Sequence, residues 1–390
     1  MRVERDIVRK PHRLVGAVVT DTHQLLHSDG ALHPGAGMIG SVLGLVLGFL
    51  SLLGVLAFMY PQYLTTPELR HAYSVAVCRY LLFTGLFVAG ALALCNILLD
   101  RYRTINIGSF AMVLLAVAMG GSKVPVGAFP DHTPYLGLDW FILDLLGSTT
   151  IFVMLEKLFP LYTKQQVFRK EWQTDLVHFC VNHLLVGLFL LIVNYFIHRL
   201  LLVIGPADFQ AAIANIPFFP QLLLCLLVAD LAEYGAHRAY HEVSFLWRFH
   251  AVHHSAKIMD WIAGSRQHTL ELILTRVCVL APLFALGLEK SVIDTYILIV
   301  GFQAVFNHAN VHLPWGPLKY LIVTPDFHHW HHSSDAAAID KNYAAHFAFI
   351  DYLFGTAVKT DKAFPEKYGV VGDYMPNGFL KQQAHPFKKR

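Results

Sequence analysis

Long apolar stretches alternate with short polar, often basic ones through most of this chain. The apolar stretches cover about 38–58, 75–98, 107–119, 136–158, 178–204, 218–232, 270–288 and 292–305. A helix of about 20 apolar residues crosses the hydrocarbon core of a bilayer, so most of these read as membrane spans. The stretch at 107–119 is short for a crossing. That at 136–158 carries Asp139, Asp144 and Glu156, which read as acids near an interface or between helices. Only Glu289, Lys290 and Ser291 separate the last two stretches, so these form either two full spans or a hairpin within one leaflet. Backbone polar groups in lipid must be satisfied inside their own segment. The expected fold class is therefore all-α, a polytopic helical membrane protein.

Composition agrees with that reading. Of 390 residues 55% are hydrophobic and 15% charged, with a mean hydropathy of +0.48. So little charge does not cover a soluble protein of this length. The net charge of +3 is too small to point to nucleic acid. Its distribution says more. Basic residues gather near the N-terminus, at Arg101 and Arg103, at Lys164, Arg169 and Lys170, at Arg238, Arg248, Lys257 and Arg266, and at Lys388, Lys389 and Arg390. The positive-inside rule places all of these on the cytoplasmic side. Eight crossings with both termini inside satisfy that pattern. Residues 1–35 are polar and basic and do not read as a removable signal peptide. The five cysteines lie in apolar stretches without a C-x-x-C pair, as small buried hydrophobes do. Three regions are expected: a membrane region over 1–165 with about four spans, a catalytic region over 166–360, and a cytoplasmic tail over 361–390.

Histidine carries the chemistry. His237 and His241 stand four apart just past the sixth apolar stretch. His250, His253 and His254 follow with offsets of three and four, and His308 and His312 repeat the spacing of four. His328, His331 and His332 repeat three and four, with His329 pointing elsewhere. Residues so spaced share one face of a helix. Two H-x-x-H-H clusters with two H-x-x-x-H pairs point to a metal centre at the membrane surface. Ten nitrogen ligands without a thiolate exceed the needs of one ion and fit two. Imidazole suits iron, zinc and copper alike. A closed four-coordinate zinc site would leave most of these residues redundant, whereas two redox ions can activate dioxygen, so iron is the chemical choice.

The boxes resemble those of the fatty acid hydroxylase / sterol desaturase superfamily, integral membrane di-iron enzymes, over about residues 165–360. The matching elements are His237-Arg-Ala-Tyr-His241, His250-Ala-Val-His-His254, Ser265-Arg-Gln-His-Thr-Leu-Glu271, His308-Ala-Asn-Val-His-Leu-Pro-Trp315, Thr324-Pro-Asp-Phe-His-His-Trp-His-His332, Asn342-Tyr and Leu353-Phe-Gly-Thr356. The resemblance implies that the ten histidines form a di-iron site in a helical cap on the cytoplasmic face. It also implies oxygen-dependent hydroxylation or desaturation of a membrane lipid, with electrons from a separate ferredoxin- or cytochrome-type protein. His268, Glu271, Asp326 and Asn342 are expected around the ligands; Asp230, Glu233, Glu242 and Asp260 are further acids that could steady ligand rings. Three positions depart from the family pattern: Thr269 replaces a proline, Ala344 a glycine, and His312 a basic residue seen in bacterial relatives. His33-Pro-Gly-Ala-Gly37 is similar to a cytochrome b5 haem motif, but too little chain precedes it for such a domain.

The expected location is a bacterial inner membrane. Hydroxylase and desaturase outcomes, on a fatty acyl, sterol-like or other lipid, stay open, as does the oligomeric state. A histidine-rich metal transporter is the rival of another class. It needs ligands along a path at mid-bilayer, whereas these gather at one interface.

Overall fold

The computed structural model describes residues 37–65, 74–127, 138–184, 207–360, 364–372 and 374–388. Its regular elements are helical, with an antiparallel bridge between Ser333 and Tyr368. Backbone contacts divide the chain into two compact units, 1–168 and 169–390.

In the first unit, α1 (Met38–Met59), α2 (Val75–Leu98) and α3 (Arg103–Ala118) pack on one another. Their shared core includes Val55, Leu82, Leu86, Ala89, Val113 and Ala116. Ser74 caps α2 by accepting the Val77 N–H at 3.3 Å. Gly48 on α1 lets Ser109 of α3 approach, since a Cβ there would lie 3.3 Å from the Ser109 carbonyl oxygen. Asn106 donates to the Ser41 hydroxyl at 2.7 Å, a bond between helices that replaces lost hydration in lipid. The apolar stretch of α3 continues to Lys123, longer than the 107–119 expected, and α1, α2 and this segment are all long and apolar enough to cross a membrane. α4 (Leu138–Leu158) follows; Ser148 donates to Asp144 at 3.0 Å, and Glu156 is buried.

The second unit holds every histidine cluster. Residues 172–184 are helical, and the rest of the expected fifth span lies outside the described residues, as does the His33 motif. α5 (Phe218–Glu242) runs ten residues beyond its apolar stretch and carries His237 and His241 on the same helix. α6 (Ser244–His250) follows after an extended Val243. α7 (Thr269–Leu286) begins where His268 Nδ1 accepts the Leu270 N–H at 3.1 Å. It ends at left-handed Gly287, where a Cβ would meet Gln210 at 2.5 Å. α8 (Lys290–His308) comes directly after. Both α5 and α7 qualify as membrane spans, making five candidates among the described residues. At 18 and 19 residues, α7 and α8 are each about 27–28 Å long. α5 packs against both around Cys225, Ala229, Val279, Leu283, Val292 and Tyr296.

Beyond the spans lie α9 (Pro325–His331), capped by Thr324, and α10 (Ala348–Phe354), closed by left-handed Gly355. The C-terminal α11 (Phe379–Ala384) belongs to this unit. Gln383 accepts the Thr269 N–H at 3.1 Å through its side chain, and its carbonyl faces His268 Nε2 at 2.9 Å.

Candidate metal centre

The structure gathers nine of the ten histidines into two groups. His237, His241, His250, His254 and His331 form one, and His253, His308, His328 and His332 the other. In each, one ring nitrogen from every residue lies within 4.8 Å of the others. Each H-x-x-H-H box is split between the groups. α6 stops at His250 and 253–255 turns as a tighter 3-10 helix, so the three rings do not share one face as their spacing predicts. His253 turns away from His250 and His254. In the second box His331 leaves His328 and His332 for the five-membered group.

His312 joins neither group. α8 ends at His308 and Ala309 is extended, so the spacing of four here is not helical. Its ring is half exposed, 3.7 Å from Asp326 and edge-on to Phe364. Asp326 thereby faces His312 and not the groups. His329 points away, with Nδ1 2.8 Å from the Tyr368 hydroxyl and Nε2 near the carbonyls of His308 and Ala309.

What holds the rings also decides their protonation. A carbonyl oxygen only accepts, so a ring nitrogen against one must carry the proton. His237 Nδ1 donates to Tyr343 O at 2.7 Å, His331 Nδ1 to Lys341 O at 2.7 Å, His253 Nδ1 to Arg266 O at 3.0 Å and His308 Nδ1 to Ala304 O at 2.6 Å. In each neutral ring Nε2 is then a bare lone pair. The Glu271 carboxyl faces His250 Nδ1 at 2.7 Å with both residues buried, and His250 Nε2 also stands 3.1 Å from His254 Nε2. Asp340 faces His241 Nδ1 at 3.2 Å.

The Nε2 atoms point at each other. His253 Nε2 and His308 Nε2 stand 3.2 Å apart, and His237 Nε2 and His250 Nε2 3.1 Å. His308 Nε2 is also 3.0 Å from His328 Nε2 and 3.1 Å from His332 Nε2. Two lone pairs at that distance repel unless a cation lies between them. Protons do not serve. Burial first, then neighbouring imidazoles, push His250, His253, His254, His328, His331 and His332 well below 6.5. Buried His241 Nε2 and His331 Nε2 have no hydrogen-bond partner at all. With a metal–nitrogen length of about 2.0–2.1 Å, ligands at right angles stand about 3.0 Å apart and tetrahedral ones about 3.4 Å. The spacings of 3.0–3.2 Å fit a shared metal ion, so both groups suit a metal.

Known proteins share this part of the chain. Residues 222–356 match the model of the fatty acid hydroxylase family. The second unit contains a fatty acid hydroxylase domain, and the chain resembles members of the fatty acid hydroxylase / sterol desaturase superfamily. This superfamily consists of metal-dependent oxygenases, so the chain is an enzyme. It is similar to the ornithine lipid hydroxylase OlsE of Rhizobium tropici, 29% identical over 267 residues, 68% of this chain and 80% of that protein. It is similar to an alkylglycerol monooxygenase of Homo sapiens, 34% identical over 130 residues, 33% of this chain and 29% of that protein. A very-long-chain aldehyde decarbonylase of Oryza sativa subsp. indica is 25% identical over 246 residues, 58% of this chain and 88% of that protein. The match thus spans less than a third of the monooxygenase. No solved structure matches.

The expected surrounding residues have distinct places. Glu271 touches a ring directly. His268 caps α7 and packs edge-on to Phe249 at 4.9 Å. Asn342 acts through the backbone. It adopts a left-handed φ of 59°, donates to Phe327 O at 2.8 Å and accepts the Val358 N–H at 2.7 Å. Its two neighbours, Lys341 and Tyr343, supply the carbonyls that hold His331 and His237. Asp260 holds Arg169 at 2.6 Å, and Asp175 also binds Arg169. Arg266, whose carbonyl fixes His253, pairs with Glu171 at 3.0 Å and with Asp175. Asp230 accepts the N–H groups of Ala345, His346 and Phe347 at 2.6–3.1 Å, while Glu242 pairs with Arg238 at 2.7 Å. Sequence reasoning missed Asp340 and the network around Arg169. Their only signal was acidic and basic residues close to the boxes.

Proposed function

We propose that this enzyme is a membrane-bound di-iron hydroxylase that oxidises an unactivated C–H bond of a lipid with O2. The observation that carries the reading is the set of Nε2 atoms facing one another at 3.0–3.2 Å in two groups, one buried throughout and the other buried except at His237 and His241. His237, His241, His250, His254 and His331 would hold one ion, and His253, His308, His328 and His332 the other; His312 would hold neither. Iron is assigned because the relatives' names are hydroxylase and monooxygenase, chemistry that requires a redox metal, and because the ligands are all imidazole. Bound iron supplies the activation of dioxygen. The balance is R–H, O2, two electrons and two protons giving R–OH and water.

The protein's own part is positional. The carbonyls of residues 266, 304, 341 and 343 fix four rings in one tautomer, and the Glu271 carboxyl holds a fifth in place. Burial keeps bulk water from the four-membered group. The catalytic region is assigned to the second unit, with the histidines on the cytoplasmic face of an inner membrane. Electrons would come from a separate ferredoxin- or cytochrome-type protein drawn to the basic residues of that face.

Mass spectrometry of total lipids from cells expressing the wild type or the His253→Ala, His254→Ala variant tests this. A lipid class that gains one oxygen only with the wild type supports hydroxylation. Loss of two hydrogens instead makes the enzyme a desaturase, and products identical in both cell lines, with the electron donor supplied, overturn the reading.

A further inference from the structure

The cap beyond the spans contains a cavity of about 280 Å³. Its inner wall is His241, His254 and His331, all of the five-histidine group, and no member of the four-histidine group lines it. Its other walls are largely apolar, with Trp247, Ile339, Val371 and Tyr374 among them. Trp247 is fixed in place: its Nε1 donates to the Tyr374 hydroxyl at 3.2 Å, and its ring lies 5.0 Å from His241 and 5.4 Å from His254. At the rim Ile339 is 45% and Val371 60% exposed. Branched aliphatic side chains gain by leaving water, and an apolar rim around a pocket is the mark of a site that receives an apolar ligand. Asp340, also in the wall, spends its carboxylate on His241 and repels an anionic head group.

We infer that one slender alkyl chain of the lipid substrate enters this cavity past Ile339 and Val371, which set the carbon that reaches the five-histidine group. The cavity has room for a run of methylenes, and the side chains of Ile339 and Val371 at its rim favour a slender chain over a rigid fused-ring body. Ile339 and Val371 lie outside the candidate spans, so the chain would enter from the membrane surface and not between spans. The assignment of a reacting carbon rests on the proposed function; the presence of a chain in the cavity does not.

Trp247 reports on occupancy. The full-length protein is placed in phosphatidylcholine vesicles doped with phosphatidylcholine brominated near the end of one acyl chain. The Trp247 signal is the fluorescence difference between the wild type and Trp247→Phe, which removes one of six tryptophans. The expected result is severalfold quenching of that signal. It should be lost in an Ile339→Phe, Val371→Phe variant, retained in Val371→Ala, and absent with a brominated sterol, while metal content stays at the wild-type level in both variants. An unquenched Trp247, equal quenching by the sterol, or undiminished quenching in the double phenylalanine variant overturns the inference. If quenching behaves as stated but the wild type carries no iron, the hydroxylase reading fails and the alkyl site stands.

Discussion

The two histidine groups are built from the same side chain and share both H-x-x-H-H boxes, yet their surroundings differ. The five-membered group has carboxylates behind two of its rings, Glu271 on His250 and Asp340 on His241, and forms the wall of a cavity. The four-membered group is buried throughout. Two of its rings are held by carbonyls, and Nδ1 of His328 and of His332 has no hydrogen-bond partner. One group thus has acids behind two of its rings and opens on a cavity, while the other has none there and is enclosed. Because each box serves both, a change in either box reaches both groups, whereas changes outside the boxes separate them.

That contrast orders the expected effects. The largest is His308→Ala. Its Nε2 faces His253, His328 and His332, so its loss should remove one metal per chain and abolish turnover, read by metal analysis and product formation. A variant that keeps two metals contradicts the four-membered group. Glu271→Gln comes next. It keeps the shape but removes the acid behind His250, and a partner of this kind is typically worth about 10–100-fold in metal affinity or activity. The loss should fall on one ion only, seen as one weakened step in a chelator titration; equal weakening of both would erase the distinction.

Asn342→Ala is expected to be intermediate. It leaves the Val358 N–H and the Phe327 carbonyl without their partner and puts alanine at a left-handed φ, a combined cost of about 2–4 kcal/mol. A lowered unfolding temperature with weakened binding at the five-membered group is the expected outcome. Asn342→Gly should recover the backbone part of the cost and not the hydrogen bonds. The smallest effect belongs to His312→Ala. A half-exposed ring 3.7 Å from Asp326 is worth at most about 1 kcal/mol, and metal content should not change. Loss of a metal there would mean that a tenth ligand exists.

The sequence made much of this legible because helical spacing is a local property. The apolar stretches located the described spans to within about four residues, except α5, which runs ten residues past its stretch, and the spacing of four placed His237 and His241 together on α5. Its power ended where the helices end. Nothing local announced that α6 stops at His250 or that α8 stops at His308, so the spacings in 250–254 and 308–312 misstated which rings share a face. Glu271 was legible as an acid beside a box. The carbonyls of residues 341 and 343 were not, since their direction depends on the left-handed turn at Asn342, and that turn depends on contacts with residues 327 and 358. Asp340 was hidden for the same reason, lying 99 residues from its partner His241.

The most direct test of the account is the metal content of the purified full-length protein, wild type beside His308→Ala and His237→Ala, measured by elemental analysis against protein concentration. The account predicts two irons per chain in the wild type, with one lost from a different group in each variant. A wild type saturated by a single ion, or variants that both retain two, would contradict it.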